Sequence, residues 1–289
     1  IAWPNIFQLI EEGSLKSWLL SPMQTPAAGT RDGAAAVERL LAIQVLWDTP
    51  AMYLAAGSTD PTAYPTETYA FDVLSGDEEA GRYWTQVFSR TARAGQLYAL
   101  AGLYQTDPTA YALYRAALLS APARERSMTL YARQTERRED AAALLPQIEQ
   151  GTLYPQLGSH QTRSQQESAL LLAQAVLRRA HTVQSRRIGW EARLSQQSLA
   201  LRVLRQRSDA ATQFATLFAQ APNVAGKIYA LAGLQETDPA QYQRLKAALD
   251  ANQKVRVQSA DVITEETVSV LLADIERGDL RRFILGNEL

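Results

Sequence analysis

Tyrosines that recur at matched positions show the most regular chemical pattern in this chain. Tyr98 and Tyr229 stand in two copies of the string YALAG, and Tyr111 and Tyr242 follow 13 residues later in each copy. Tyrosines that line a groove bind sugars or peptides through the ring face and the hydroxyl. The alternative is core packing, in which each hydroxyl bonds to a backbone group. The sequence leaves both interpretations open, and the four tyrosines are candidate binding residues.

A second repeated block carries a glutamate two residues before a glycine. Its copies read IEEG, IEQG and IERG and contain Glu11, Glu149 and Glu276. Two carboxylates facing each other across a cleft at about 5–10 Å would suit a glycan-cleaving or cell-wall enzyme. A glutamate in every copy instead favours the same structural hydrogen bond or ion pair at each position. A carboxylate-dependent enzyme is therefore an alternative function, with Glu149 and Glu276 as candidate residues.

Arginine is concentrated between residues 163 and 207. This stretch holds nine arginines and two acids, so its charge is +7, and the whole-chain charge of −1 leaves −8 for the remainder. Basic faces of this kind bind phosphate groups, and Arg179, Arg186 and Arg187 are the candidates here. No nucleic-acid motif accompanies them, so we expect the arginines to face acidic surfaces of the same chain or water. Binding to nucleic acid or to an anionic surface is a second alternative.

Composition excludes or disfavours several other classes of chemistry. The chain has 289 residues, of which 46% are hydrophobic and 20% charged, and it contains no cysteine. Disulfides, thiol nucleophiles and cysteine-ligated metals are therefore excluded. The two histidines, His160 and His181, lack metal-ligand spacing, and no Walker loop, GxGxxG, GxSxG or EF-hand motif occurs. We expect no metal and no cofactor, and a non-enzymatic role is favoured over an enzyme.

An internal duplication sets the positions of these residues. Residues 94–118 and 225–249 match at 15 of 25 positions without a gap. The glutamate block extends this match at 144–151 and 271–278, and a further copy stands at 10–20. Because repeats of this length mark repeated structural units, the chain is expected to contain two related units.

The repeat predicts two helical halves, residues 1–160 and 161–289. Within the second half, apolar residues recur at spacings of three and four from 164 to 207. This spacing predicts a long amphipathic connecting helix, bent or divided near Ile188. The repeat core of the second half then follows at 213–289.

Local signals predict helices for most of the chain. Asp107-Pro108 and Asp238-Pro239 each combine an N-cap with a proline at the first helical position. Only MTLY at 128–131 and VRVQ at 255–258 alternate in the manner of strands. We therefore predict an all-α fold of tandem duplicated helical repeat units joined by a long amphipathic helix, with at most one short β element per half.

A duplicated helical unit without a catalytic signature predicts a non-enzymatic protein that binds another macromolecule in a groove between helices. A protein is favoured over a glycan as the partner, and the sequence does not indicate an oligomeric state. The longest apolar stretch, Ala169–Leu177, is too short to span a membrane. The lack of cysteine and a start at Ile1 rather than Met fit an exported bacterial protein after removal of a signal peptide, although trimming would give the same start. We expect a periplasmic or cell-surface location in preference to a cytoplasmic one.

Overall fold

The structure is a computed structural model that describes residues 31–54, 64–132, 135–158, 163–189 and 192–286. The glutamate block at 10–20, with Glu11, and the histidine His160 lie outside these ranges. The described residues form helices and two mixed β-sheets, so the all-α prediction is wrong. The strands are short and pair with partners distant in the sequence, which is why local periodicity does not reveal the sheets.

Helices, a short strand and a β-hairpin follow one another in similar order in both halves. The elements of the first half are α1 (Arg31–Trp47), β1 (Ala51–Leu54), α2 (Thr66–Ser75), α3 (Ala80–Arg90), α4 (Arg93–Thr106), α5 (Pro108–Ser120), α6 (Ala123–Arg126), β2 (Ser127–Ala132), β3 (Thr135–Asp140), α7 (Ala141–Glu149) and α8 (Tyr154–Leu157). The elements of the second half are α9 (Gln165–Arg178), β4 (Thr182–Ile188), β5 (Arg193–Leu194), α10 (Gln196–Arg205), α11 (Ala210–Gln220), α12 (Val224–Thr237), α13 (Pro239–Lys246), β6 (Lys254–Ala260), β7 (Val262–Thr267), α14 (Val268–Arg277) and α15 (Asp279–Leu285). The matching sequences place α12 opposite α4, α13 opposite α5, and the hairpin β6–β7 opposite β2–β3.

Each half contains one sheet. In the first half the strand order is β1–β2–β3, in which β1 and β2 are parallel and β2 and β3 antiparallel. In the second half the order is β5–β4–β6–β7, in which β4 and β6 are parallel and the two outer pairs antiparallel. β3 and β7 therefore form sheet edges at corresponding places. The predicted architecture of tandem helical repeats is wrong, because sheets form part of both halves.

The predicted connecting helix at 164–207 is also wrong, because strands interrupt it. α9 begins as the capping box predicts, with the Ser164 hydroxyl accepting the Glu167 N–H at 3.2 Å. It ends at Arg178, and the chain then forms β4 and β5 before α10 begins. β4 contains the β-branched residues Val183 and Ile188, which favour extended backbone, and β6 pairs with it in parallel. Apolar spacing alone therefore joins two helices that a strand separates.

The predicted helix starts at the Asp-Pro strings are confirmed. The Asp107 carboxylate accepts the Ala110 N–H at 3.0 Å at the start of α5. The Asp238 carboxylate accepts the Gln241 N–H at 2.9 Å at the start of α13. Each cap satisfies a backbone donor that the first helical turn leaves free, so the two helices begin at corresponding residues.

The small residues of the repeated helix allow a bulky aromatic ring to approach its backbone. A Cβ atom added to Gly102 in α4 would lie 2.2 Å from the Trp84 ring of α3. A Cβ atom added to Gly233 in α12 would lie 2.4 Å from the Phe214 ring of α11. Glycine is therefore required in both helices despite its low helix propensity.

One hydrophobic core joins the halves. α2 packs against α9, α1 packs against α10, and buried side chains of both halves belong to one cluster. Polar links add to this contact. Asp48 accepts hydrogen bonds from Arg193 and Gln196, both at 2.9 Å, and Asp77 accepts one from Gln165 at 3.1 Å. The division at residues 160 and 161 stays a prediction, because the core extends across it.

Candidate functional site

The first pair of repeated tyrosines covers a sheet edge. The Tyr98 hydroxyl donates to the Tyr53 carbonyl at 3.1 Å and accepts the Tyr53 N–H at 2.9 Å. The Tyr229 hydroxyl accepts the Gln184 N–H at 2.7 Å. Both rings are fully buried, and burial raises the pKa of both hydroxyls. These tyrosines take up backbone groups of β1 and β4, and their rings do not reach solvent.

The second pair of tyrosines holds the glutamates of the repeated block. Glu149 accepts the Tyr111 hydroxyl at 3.0 Å and the Arg115 Nε–H at 2.7 Å. Glu276 accepts the Tyr242 hydroxyl at 3.2 Å and is paired with a lysine of α13 at 2.7 Å. That lysine lowers the pKa of Glu276, so its carboxyl is a poor proton donor. The arrangement ties α7 to α5 and α14 to α13.

The three candidate arginines contact the chain itself at separate places. Arg179 donates to the Tyr64 carbonyl at 3.1 Å, and Arg187 donates to a carbonyl between β4 and β5 at 2.8 Å. Arg186 packs against Gly286, where an added Cβ atom would lie 2.7 Å from its Nη1. The side chains proposed for phosphate binding are thus engaged within the molecule.

Two shallow depressions are found among the described residues. One, of about 240 Å³, is lined by Glu236 and Glu276 beside the turn at Gly278. Glu236 is held between Arg205 and Arg281, each at 2.7 Å. The other, of about 300 Å³, is lined mainly by polar residues, including His181, Asn223, Lys254, Arg256 and Glu265. Small-molecule sites usually enclose about 300–1,000 Å³, so neither depression offers an enclosed site.

Two acids with raised pKa values lie elsewhere. Burial raises the pKa of Glu38 to about 7, against the lowering effect of Arg207. Burial also raises the pKa of Glu67, whose carboxylate accepts hydroxyl groups of Thr49 and Thr66 at 3.2 and 3.0 Å. Neither acid lines a depression. Within the described ranges, no group of three or more His, Asp or Glu side chains is placed to hold a metal ion.

Large apolar side chains are exposed at two places that sequence reasoning missed. Leu113 and Leu119 on α5 are 60% and 38% exposed. Val262 and Ile263, at the start of β7, are 62% and 57% exposed. Exposed apolar groups in such clusters, rather than singly, mark contact surfaces.

A difference between the halves would have revealed both places in the sequence. Arg244 and Asp250 of the second half stand at the positions of the two exposed leucines. Thr135 and Glu136 of the first half stand at the positions of the exposed valine and isoleucine. The fold accepts polar residues at each of these positions, so the apolar residues are not required for folding.

β7 presents backbone hydrogen-bonding groups at the free edge of its sheet. Ser259 pairs with Val262 across a two-residue turn, and the register continues antiparallel to Thr267. In this pattern alternate residues direct their N–H and C=O groups away from the neighbouring strand. Ile263, Glu265 and Thr267 are the residues of β7 that do so.

Comparison with known proteins adds no relationship. No protein-family model, curated protein or solved structure matches this chain. Among the described helices, none combines the length and apolarity needed to cross a bilayer. Functional inference therefore rests on the geometry of the chain's own residues.

Proposed function

We propose that this chain is a non-enzymatic binding protein that takes up an extended segment of a partner protein as an additional strand beside β7. The observation that carries the proposal is the free edge of β7 with the exposed side chains Val262 and Ile263. Strand addition joins backbone groups along a sheet edge and uses neighbouring side chains for selectivity.

The charges of β7 favour a partner segment with basic side chains. Asp261, Glu265 and Glu266 lie along the outer strand, and only Glu265 has a described ion pair, with Lys254 at 3.4 Å. Pairing of β7 with β7 of a second copy would bring acidic side chains together and is disfavoured. A segment in which lysine or arginine alternates with valine or isoleucine complements both the acids and the apolar start of the strand.

The corresponding edge strand of the first half lacks these features. β3 reads TERRED, and its charged side chains occupy the positions where β7 carries valine and isoleucine. Charged residues on an edge strand oppose pairing with other chains. The binding edge that we propose is therefore specific to the second half.

The other functions considered from the sequence have less support. The tyrosines expected to line a groove are largely buried, and the glycines of the repeated helix contact aromatic rings. The acids lining the depression near Gly278 are ion-paired, which disfavours acid catalysis there. The candidate arginines are engaged with the chain's own backbone, which disfavours phosphate binding.

Substitution of proline on one edge strand at a time tests the proposal. Glu265→Pro removes an outward N–H from β7 without removing a bond to β6, because proline is tolerated on the free side of an edge strand. Arg138→Pro makes the same change at the corresponding residue of β3 and serves as the matched control. Wild type and both variants are immobilised and used to capture proteins from cells that produce the chain.

The expected result is a protein retained by wild type and Arg138→Pro and lost with Glu265→Pro. Ile263→Glu, which places the β3 residue in β7, should weaken retention at least tenfold. Equal capture by all three baits, or no specific capture by wild type, would contradict the proposed function. Circular dichroism of each bait checks that the fold is retained.

A further inference from the structure

The outer surface of α5 is apolar and uncharged over its whole length. Between Pro108 and Ala123 the one charged side chain is Arg115, which is turned to Glu149 at 2.7 Å. The exposed residues are otherwise alanine, leucine, proline, serine and threonine. A surface helix normally presents polar groups on this side, because water solvates them at no cost to the core.

The counterpart helix shows that folding does not require this surface. α13 carries Gln243 and Arg244 where α5 carries Ala112 and Leu113, and Asp250 follows α13 at the position of Leu119. The N-cap, the buried tyrosine and its contact with the repeated glutamate are otherwise the same in both helices. The apolar surface of α5 is therefore free to serve a contact with another molecule.

The surface fits a second copy of itself. Leu113 and Leu119 are flanked by the small residues Ala112, Ala116 and Ala117, so a leucine of one helix can lie in the space over alanines of another. A two-fold axis places identical surfaces together, which is unfavourable where those surfaces carry charge. This surface carries none, and the net charge of −1 gives no long-range repulsion between copies.

We propose that α5 forms the interface of a two-fold dimer of this chain, in which the helices of the two copies cross with Leu113 and Leu119 at the contact. The contact is limited to one helix of 13 residues. It therefore buries less than the roughly 800 Å² per partner of a standard stable interface, so the dimer is weak and forms at high concentration.

Sedimentation velocity over a concentration series tests the dimer. Wild type is expected to shift from monomer toward dimer between about 5 and 500 µM, in keeping with a small interface. Leu113→Arg with Leu119→Asp places the residues of the second half on α5 and should keep the chain monomeric throughout. Val262→Thr with Ile263→Glu makes the equivalent exchange on β7 and should dimerise as wild type does.

Cross-linking provides a second measurement that does not depend on the leucines. The chain has no cysteine, so a single introduced cysteine reports one position alone. Ala117→Cys on α5 should form a disulfide-linked dimer under mild oxidation, at least tenfold more than Ala248→Cys at the corresponding position after α13. A monomeric wild type at all concentrations, or equal cross-linking at both positions, would overturn the proposal. Because β7 variants leave this dimer intact, its failure is separate from failure of strand addition.

Discussion

At the scale of single residues, the hydroxyl and carboxyl groups of the repeated blocks act on the chain itself. The duplication predicts that Tyr98 and Tyr229 share one role, because they stand in identical strings. It does not identify that role, since the groups that their hydroxyls meet belong to strands about 45 residues earlier. The same limit applies to Glu149, whose partners lie on a helix more than 30 residues away.

Removal of the Tyr98 hydroxyl should destabilise the protein. Tyr98→Phe leaves a backbone N–H and a C=O of β1 without their partner at a buried edge, which typically costs about 1–3 kcal/mol. Urea unfolding measures the loss. Tyr131→Phe removes a hydroxyl bond to Glu136 on the surface and should change the free energy of unfolding by less than about 0.5 kcal/mol. Equal effects of the two substitutions would show that the buried edge needs no cover.

Substitution of Glu38 should change the pH dependence of stability. Burial raises its pKa from 4.5 to about 7, so between these values the folded chain holds a proton that the unfolded chain releases. The free energy of unfolding therefore falls as pH rises through this window. Glu38→Gln should remove this fall and stabilise the protein at pH 8 by about 1–2 kcal/mol, with little effect near pH 4.5.

Urea unfolding at both pH values checks the Glu38 prediction. Glu125→Gln changes an acid that is 51% exposed and is the control, expected to follow the wild-type pH curve. If Glu38→Gln also follows that curve, the carboxyl is already ionised in the folded chain at pH 5.

At the scale of elements, helices were predictable and sheets were not. Asp-Pro strings and the capping box at Ser164 identify helix starts because both partners of each cap lie within four residues. β1 and β4 pair in parallel with strands more than 70 residues later, so no local pattern reports the pairing. The candidate surfaces were equally hidden, since exposed leucine or valine resembles core residues until the helix or strand that carries it is placed.

Addition of a methyl group to the repeated helix should disrupt its contact with the neighbouring helix. Gly102→Ala places a Cβ atom against the Trp84 ring and should destabilise the protein by about 1–3 kcal/mol, despite the better helix propensity of alanine. Gly81→Ala in α3 is the control, because its nearest contact is 3.4 Å away. It should be neutral or stabilising by up to about 1 kcal/mol. Thermal denaturation followed by circular dichroism compares the two, and a stabilised Gly102→Ala would contradict the packing argument.

At the scale of the whole molecule, the two halves share one core although their sequences repeat. Duplication alone suggests independent units, but α1 and α2 of the first half pack against α10 and α9 of the second. Asp48 and Asp77 add hydrogen bonds across this contact. Sequence repetition reports common ancestry of the halves, whereas it carries no information about the surface through which they meet.

The described part of the chain should therefore unfold as one cooperative unit. Calorimetry is expected to give a single transition in which the calorimetric and van't Hoff enthalpies agree. Asp48→Ala with Asp77→Ala should lower the midpoint without dividing the transition, because apolar packing still joins the halves. Two separate transitions in wild type would show that the halves fold independently.

The tyrosine that covers one edge of each sheet also determines how far any assembly of sheets can grow. A sheet with two open edges is a bifunctional monomer, to which strands add at both ends until a fibril results. Here a hydroxyl occupies backbone groups at β1 and β4, which leaves the opposite edge as the open one. Such a sheet is monofunctional, so it accepts one incoming strand and then terminates growth. The duplicated tyrosine would in this way keep a strand-binding protein from becoming the seed of its own polymer.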